Sequence, residues 1–517
     1  MNQSTTIPET SQNTNILRFL LIYLVIWSVS HMISDANLDP AGNMLENYGW
    51  GQEFTWGTSK HPPLMAWITA AWFSIFPTSD SFYHVLAYAV SACGLLGTWF
   101  LIHALRLGGL AVPAILLLSM ALPYSTLAVK FNANTVLLAV WPWVAFSWAN
   151  AVNKNTPGSA VLLGLLAAVS VLGKYYSGIF LLTLFMASLV TPAGRNWLFS
   201  RYMIIAAFTG LIAVAPHLAW LIDNHFPTLG YVDGKGDGET NLERLLRFGL
   251  TPFVYWLIPW LIAAWLYSDG ANWKARLKEW PRMIMLAWRP PLQRMDVLIL
   301  AVAPWAITLL IGASGFVVLR SHWAIPIGFT FSMVWLLNLS AISKRDPARV
   351  QRGAYIAATV WLVMALVLAP PYTWQQATSG QENFYQPRTL AAETLYQQWQ
   401  ERYPRQPLKW AGGDWPENAT LPFYVDNSIR AAHGFPGEFP AVLIPHEGWQ
   451  DQAGVLLCPL GRVKRPRPTD CPEHAERWLA QKGQHPEPFR FEVFRTGLKF
   501  PLEVPFGYIA YPYLPQT

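Results

Sequence analysis

The chain has 517 residues, of which 53% are hydrophobic and only 13% charged, with a formal net charge of +6. That balance excludes the soluble globular classes. The basic residues cluster between apolar segments and are accompanied by 27 Trp, a pattern of basic loops and interfacial aromatic belts that excludes a nucleic-acid partner.

A helix needs about 20 apolar residues to cross a bilayer. Stretches near that length recur between residues 16 and 370 and stop there. Eleven helix cores are predicted, at 16–34, 83–105, 110–129, 135–152, 160–173, 179–190, 203–222, 251–267, 297–311, 323–342 and 355–370. Residues 1–15 lack a basic n-region and no small-residue cleavage site follows 16–34, so the first helix is read as retained. The segment 160–190 is too long for one ordinary span and is interrupted by "GKYYSG", which predicts two short helices joined by an ordered corner.

Lys and Arg decide the sides, because cytoplasmic loops collect them. With eleven helices and a cytoplasmic amino terminus, the basic loops 268–294 and 343–354 fall inside. Three polar stretches then fall outside: 35–82, 223–250 and 371–517. Within the inner loop, "WKARLKEWPRMIMLAW" mixes bases with Trp, Leu and Met and predicts a helix lying along the membrane surface.

The first outer stretch, 35–82, interleaves Asp35, Asp39, Glu46, Glu53, Lys60 and His61 with Tyr48, Trp50, Trp56 and Trp67. Glu46 and Trp50, four residues apart, share a helical face. A carboxylate beside an aromatic ring suits a base or a group that orients a sugar hydroxyl. In "KHPPL" the paired prolines hold the chain extended and then start a helix, fixing Lys60 and His61 at its mouth, where a cation suits a phosphate.

Further along, "KFNANTVLL" sets Lys130, Asn132 and Asn134 at a helix entry, where Asn134 reads as a cap. Lys174 and Tyr175 occupy the 173–178 corner, and a lysine between apolar helices either faces a polar cavity or snorkels to the surface. His217 lies inside a helix and reads as a hydrogen-bonded core residue. The glycine-rich loop "GYVDGKGDGET" at 230–240 fails the EF-hand spacing and is read as a lid. Arg320 and His322 stand in "VLRSHWAIP", and arginine binds phosphate oxygens in pairs. The histidines have no metal-ligand spacing, so a divalent metal has no support in the sequence.

Beyond residue 370, "RTLAAETLYQQWQERY" and "CPEHAERWLAQKG" predict helices and "AVLIP" and "GVLLCPL" short buried strands, a small α/β domain at 371–517. Of three cysteines, Cys458 and Cys471 flank a basic, proline-rich loop there and are predicted to pair in an oxidising compartment. There is no inverted repeat, the commonest sequence sign of a secondary transporter.

The order of "WGTSKHPPLMAWI", "KFNANTVLLAVWPW", "GLLAAVSVLGKYYSGI", "APHLAWLIDNHF" and "LRSHWAIP", followed by an outer α/β domain, resembles the bacterial GT-C membrane glycosyltransferases. That family includes protein O-mannosyltransferases and the lipid A aminoarabinose transferase. The resemblance implies a polytopic GT-C catalytic domain at 1–370 in a bacterial inner membrane, with a periplasmic α/β domain at 371–517. It implies a sugar donor on polyprenyl phosphate, a lipid or glycan acceptor, inversion at the sugar and no nucleotide site; no cofactor is assigned, and a divalent metal is left open. Lys60, His61, Lys174, Tyr175 and Arg320 would hold the donor phosphate, and Asn43, Trp50, Asn134 and His322 would line the substrate.

The family pattern carries an Asp and a Glu three apart before the proline pair. Glu46 matches the glutamate, but Asn43 stands at the aspartate position, leaving Asp39 or Asp35 as the second acid. Glu46 ranks first as catalytic carboxylate and Asp39 second. Lipid A or another lipopolysaccharide component is the expected acceptor. A protein or polysaccharide glycosyltransferase of the same architecture, and a flippase for lipid-linked sugar, are the alternatives.

Overall fold

The computed structural model describes residues 9–39, 42–228, 242–432, 448–463, 465–466, 468–496 and 503–515. The 230–240 loop and the "AVLIP" strand lie outside them. Among the described residues seven helices are long and apolar enough to cross a membrane: Asn13–Ser34, Asp80–Ala104, Ala133–Lys154, Arg201–Asp223, Leu292–Ala313, Ser321–Ile342 and Pro347–Ser379. Two bent pairs, Ser177–Leu189 with Pro192–Leu198 and Leu242–Tyr255 with Leu257–Tyr267, raise the number to nine if each is one span. The chain is therefore a multi-pass membrane protein.

Each of the eleven expected stretches carries a helix, but seven to nine qualify as spans, not eleven. Gly108–Leu118 and Pro157–Gly173 are shorter apolar helices. The stretch expected at 110–129 leaves the α-helix at Leu118 and continues in turns, because Pro123 starts a 3-10 turn that the preceding helix cannot enter.

Contacts divide the chain into two compact units. The helical unit is formed by the described residues of Met1–Ser28, Ala87–Trp220 and Leu229–Leu366, and the second by those of Val29–Leu86, Leu221–Thr228 and Val367–Thr517. Local chemistry sets the helix starts of the first. Thr156 and Ser159 form a capping box with Pro157 at the first helical position, and the helix runs to Gly173. After the corner at 174–176 the chain enters Ser177–Leu189, so the predicted break at "GKYYSG" is present.

The second unit holds the end of α1 (Glu9–Ser34), the short helices α2 (Asn43–Gly51) and α3 (Leu64–Phe73), the start of α4 (Asp80–Ala104), and a mixed sheet. Its strands are β1 (Trp410–Gly413), β2 (Arg430–Ala431), β3 (Gly454–Arg462), β4 (Arg465–Pro466), β5 (Phe489–Thr496) and β6 (Glu503–Tyr513), in the order β2-β1-β3-β6-β5 with β4 folded back on β3. β1 runs parallel to β2 and β3, whereas β6 is antiparallel to β3 and β5.

β3 is buried on both faces: Val455 and Leu457 join Leu395, Trp399 and Phe491 on one side, and Leu456 and Cys458 join Trp410, Trp478 and Leu479 on the other. β5 alternates buried and exposed residues, as an edge strand with one covered face does. A disulfide joins Cys458 of β3 to Cys471, the first residue of the helix Cys471–Gln481.

Candidate functional site

α2 is built around Asp39. Its two carboxylate oxygens accept the backbone N–H groups of Asn43 (3.0 Å) and Met44 (2.8 Å), which the first turn of a helix leaves unsatisfied. The Asn43 side-chain amide donates to the same carboxylate at 2.7 Å. Asn43 thus supports Asp39 from the position where a second acid was expected. Asp35 is committed elsewhere, against Nδ1 of His31 at 2.6 Å.

One turn along α2, Glu46 is buried, with 7% of its surface exposed. Its Oε1 accepts from the Lys60 ammonium and, at 2.8 Å, from the Trp415 indole Nε1. Lys60 is delivered by an ordered turn: Thr58 Oγ1 accepts from the backbone N–H of Lys60 and of His61 and donates to the His61 carbonyl. Pro63 then precedes the first residue of α3, so the proline pair places Lys60 and His61 immediately before a helix start. Trp50 lies on the same face of α2 as Glu46. The Lys60 ammonium is 5.9 Å from its ring centre, and the His61 and Trp415 rings are 6.5 and 6.1 Å away. Glu46, Trp50, Lys60 and His61 are thus one cluster.

Burial raises the Glu46 pKa above the ordinary carboxylate value. Lys60 and the Trp415 hydrogen bond pull it back, and Asp39 adds to the rise. Such a carboxyl is a better proton acceptor than an exposed one.

Two glycines make the approach of Trp415 possible. A Cβ at Gly49 would stand 2.6 Å from the Trp415 ring, and Gly42, at φ 72°, would meet Pro416. Behind them Arg388, with a 2% exposed side chain, donates to Glu417 Oε1 at 2.8 Å and to the Asp39 carbonyl at 3.3 Å. Arg388 therefore ties the 415–417 segment to the turn before α2. Sequence reasoning missed Trp415, Arg388 and Glu417, and no spacing rule links Trp415 to a glutamate 369 positions away.

The helical unit holds a second cluster. Lys174 Nζ donates to Asn134 Oδ1 at 2.6 Å and lies 5.2 Å from the Trp323 ring centre and 5.8 Å from that of Tyr176. Asn134 is not the helix cap: Asn132 accepts the N–H groups of Asn134 and Thr135, which frees the Asn134 side chain for Lys174. Tyr175 Oη is 2.8 Å from Nε2 of His217, the hydrogen-bonded core histidine expected there. Arg320 and His322 are exposed beside Trp323. Among the described residues no three of His, Cys, Asp and Glu come together to hold a metal ion.

These elements define a membrane protein with the GT-C fold and a small carboxy-terminal sheet domain. The family model for dolichyl-phosphate-mannose-protein mannosyltransferases matches residues 60–220, starting at Lys60. The chain is similar in structure to ArnT of Cupriavidus metallidurans, solved bound to undecaprenyl phosphate and in the apo state. In each case the TM-score is 0.58 at 14% identity, covering 97% of this chain and 98% of that one. No curated protein matches the sequence.

Proposed function

We propose that the protein is an inverting glycosyltransferase that moves a sugar from polyprenyl phosphate to lipid A, or to another lipopolysaccharide component, at the periplasmic face of a bacterial inner membrane. The observation that carries this reading is the buried Glu46 carboxylate, held on one oxygen by Lys60 and Trp415 beside an aromatic wall. The mannosyltransferase family match over 60–220 and the fold shared with ArnT support it, and the undecaprenyl phosphate bound by that relative suggests the donor class.

In this reaction the acceptor oxygen attacks the anomeric carbon opposite the phosphate. The new C–O bond forms as the bond to the phosphate oxygen breaks, and polyprenyl phosphate leaves with the electron pair. With a hydroxyl acceptor Glu46 takes the proton; with an already ionised phosphate acceptor it orients the nucleophile. Once Glu46 is protonated, the Lys60 charge is released to face the anionic leaving group, with His61 beside it. In the helical unit Lys174, Tyr175 and Arg320 are assigned to lipid-linked phosphate, with Asn134 and His322 as their polar neighbours. The periplasmic placement of residues 371–517 and the cytoplasmic amino terminus belong to the same proposal and rest on the Lys and Arg of loops 268–294 and 343–354.

Mass spectrometry of lipid A and other surface glycans, from cells with and without the gene, tests the acceptor. Loss of one sugar mass from lipid A is expected on deletion. An unchanged lipid A beside a change in another glycan removes lipid A from the proposal. Movement of labelled donor lipid between leaflets, with no sugar transferred, identifies a flippase instead.

A further inference from the structure

In the helix Trp273–Leu286 Met283 is buried, and polar and ring contacts hold the helix to the helical unit. The Trp280 indole donates to the Leu261 carbonyl at 2.9 Å, the Trp260 indole reaches the Ile284 carbonyl at 3.1 Å, and the Arg276 guanidinium lies 4.3 Å from the Trp265 ring centre. Those contacts fix which way the rest of the helix faces. At 100° per residue, Trp273 and Leu277 fall within roughly 40° of each other, and Lys274, Lys278 and Arg282 occupy the next sector of roughly 80°. Trp273 is 62% and Leu277 42% exposed, and all three bases are exposed. An apolar flank joined to a basic flank is the arrangement of a helix lying in a membrane interface.

Both ends are short leashes. Residues 268–272 connect the helix to Leu257–Tyr267, part of a bent candidate span, and residues 287–291 connect it to the span Leu292–Ala313. Five residues reach at most about 17 Å when fully extended, so the helix stays close to the bilayer surface.

We propose that this helix is a docking surface for anionic phospholipid: Trp273 and Leu277 enter the boundary between head groups and acyl chains, while Lys274, Lys278 and Arg282 hold lipid phosphates. The choice of an anionic bilayer surface rests on charge: three outward bases stand against a single acid, Glu279, which offsets part of Arg282 at 2.7 Å, so this face keeps a net positive charge. Each base near an anionic surface strengthens the contact about fivefold.

The full chain in phosphatidylcholine nanodiscs, with and without 30 mol% phosphatidylglycerol (about the anionic content of a charged leaflet), provides the test by hydrogen–deuterium exchange. Phosphatidylglycerol is expected to slow exchange over 273–286 by at least about fivefold. The triple variant K274Q/K278Q/R282Q should lose that difference while other segments exchange as in the wild type. Inorganic phosphate added to phosphatidylcholine nanodiscs should change nothing. Equal exchange in the two lipids, the same slowing in the triple variant, or slowing by inorganic phosphate alone would each overturn the proposal. Because the three bases are exposed, the variant leaves the buried side of the helix intact. The single variant W273A, which keeps all charges, should weaken the slowing without abolishing it; unchanged slowing would remove the apolar flank from the contact.

Discussion

At Glu46 burial and charge oppose one another: burial raises the pKa, Lys60 lowers it most, and the hydrogen bond from the sequence-distant Trp415 lowers it further. Only the ionised carboxylate can take a proton, so kcat/KM falls as pH drops through its pKa, and burial moves that fall upward from the usual carboxylate range. A hydrogen bond donated to the carboxylate favours its ionised form, so losing the bond raises the pKa. W415F should therefore shift the acidic limb of the pH profile to higher pH, measured with a hydroxyl acceptor; an unmoved limb would show that the indole does not act on Glu46. Arg388 stands further back. R388A leaves Glu417 buried without its cation and should cost about 3–5 kcal/mol in thermal or denaturant unfolding. R388M/E417L, which removes both charges, should cost much less. Glu46 and Lys60 were legible because a proline pair and a helical spacing mark them. Trp415 and Arg388 were not, since a tertiary contact across hundreds of residues leaves no local period or turn signal.

Among the elements, those governed by local rules were the readable ones. The expected helix at 388–403 is Arg388–Arg402, the strand "GVLLCPL" is the start of β3, and "CPEHAERWLAQKG" is the helix Cys471–Gln481. β6 was not foreseen. Its sequence carries Pro505 and Pro512, which argue against a central strand, yet it pairs with both β3 and β5. Asn134 was misread because two asparagines and a threonine share one helix entry, and only the fold shows that Asn132 makes the cap. The disulfide clamps β3 to the next helix across a separation of 13 residues. Closing a loop of that size stabilises by about 3 kcal/mol, so C458S/C471S should lower unfolding stability by about that amount. The oxidised wild type should approach the variant when reductant is added; equal stability with and without reductant would contradict a structural role.

For the whole molecule, hydropathy shows the spans but not which polar stretches fold together. The stretch 35–82 read as a loop of the helical region, whereas contacts place its described residues with those of 367–517 in one compact unit. That grouping brings the Glu46 carboxylate, the Lys60 turn and the Trp415 indole into one constellation. Among the described residues seven to nine helices are long and apolar enough to cross, against eleven expected, because apolar composition does not report where a helix breaks. The central claim is that Glu46 acts on the acceptor of a lipid-linked sugar transfer. It is tested most directly by sugar transfer from polyprenyl-phosphate sugar to a hydroxyl acceptor, measured with purified wild type and E46Q, together with donor-lipid binding. The account predicts that E46Q loses about 10²–10⁴-fold in product formation while binding the donor lipid as the wild type does; full turnover by E46Q would contradict it.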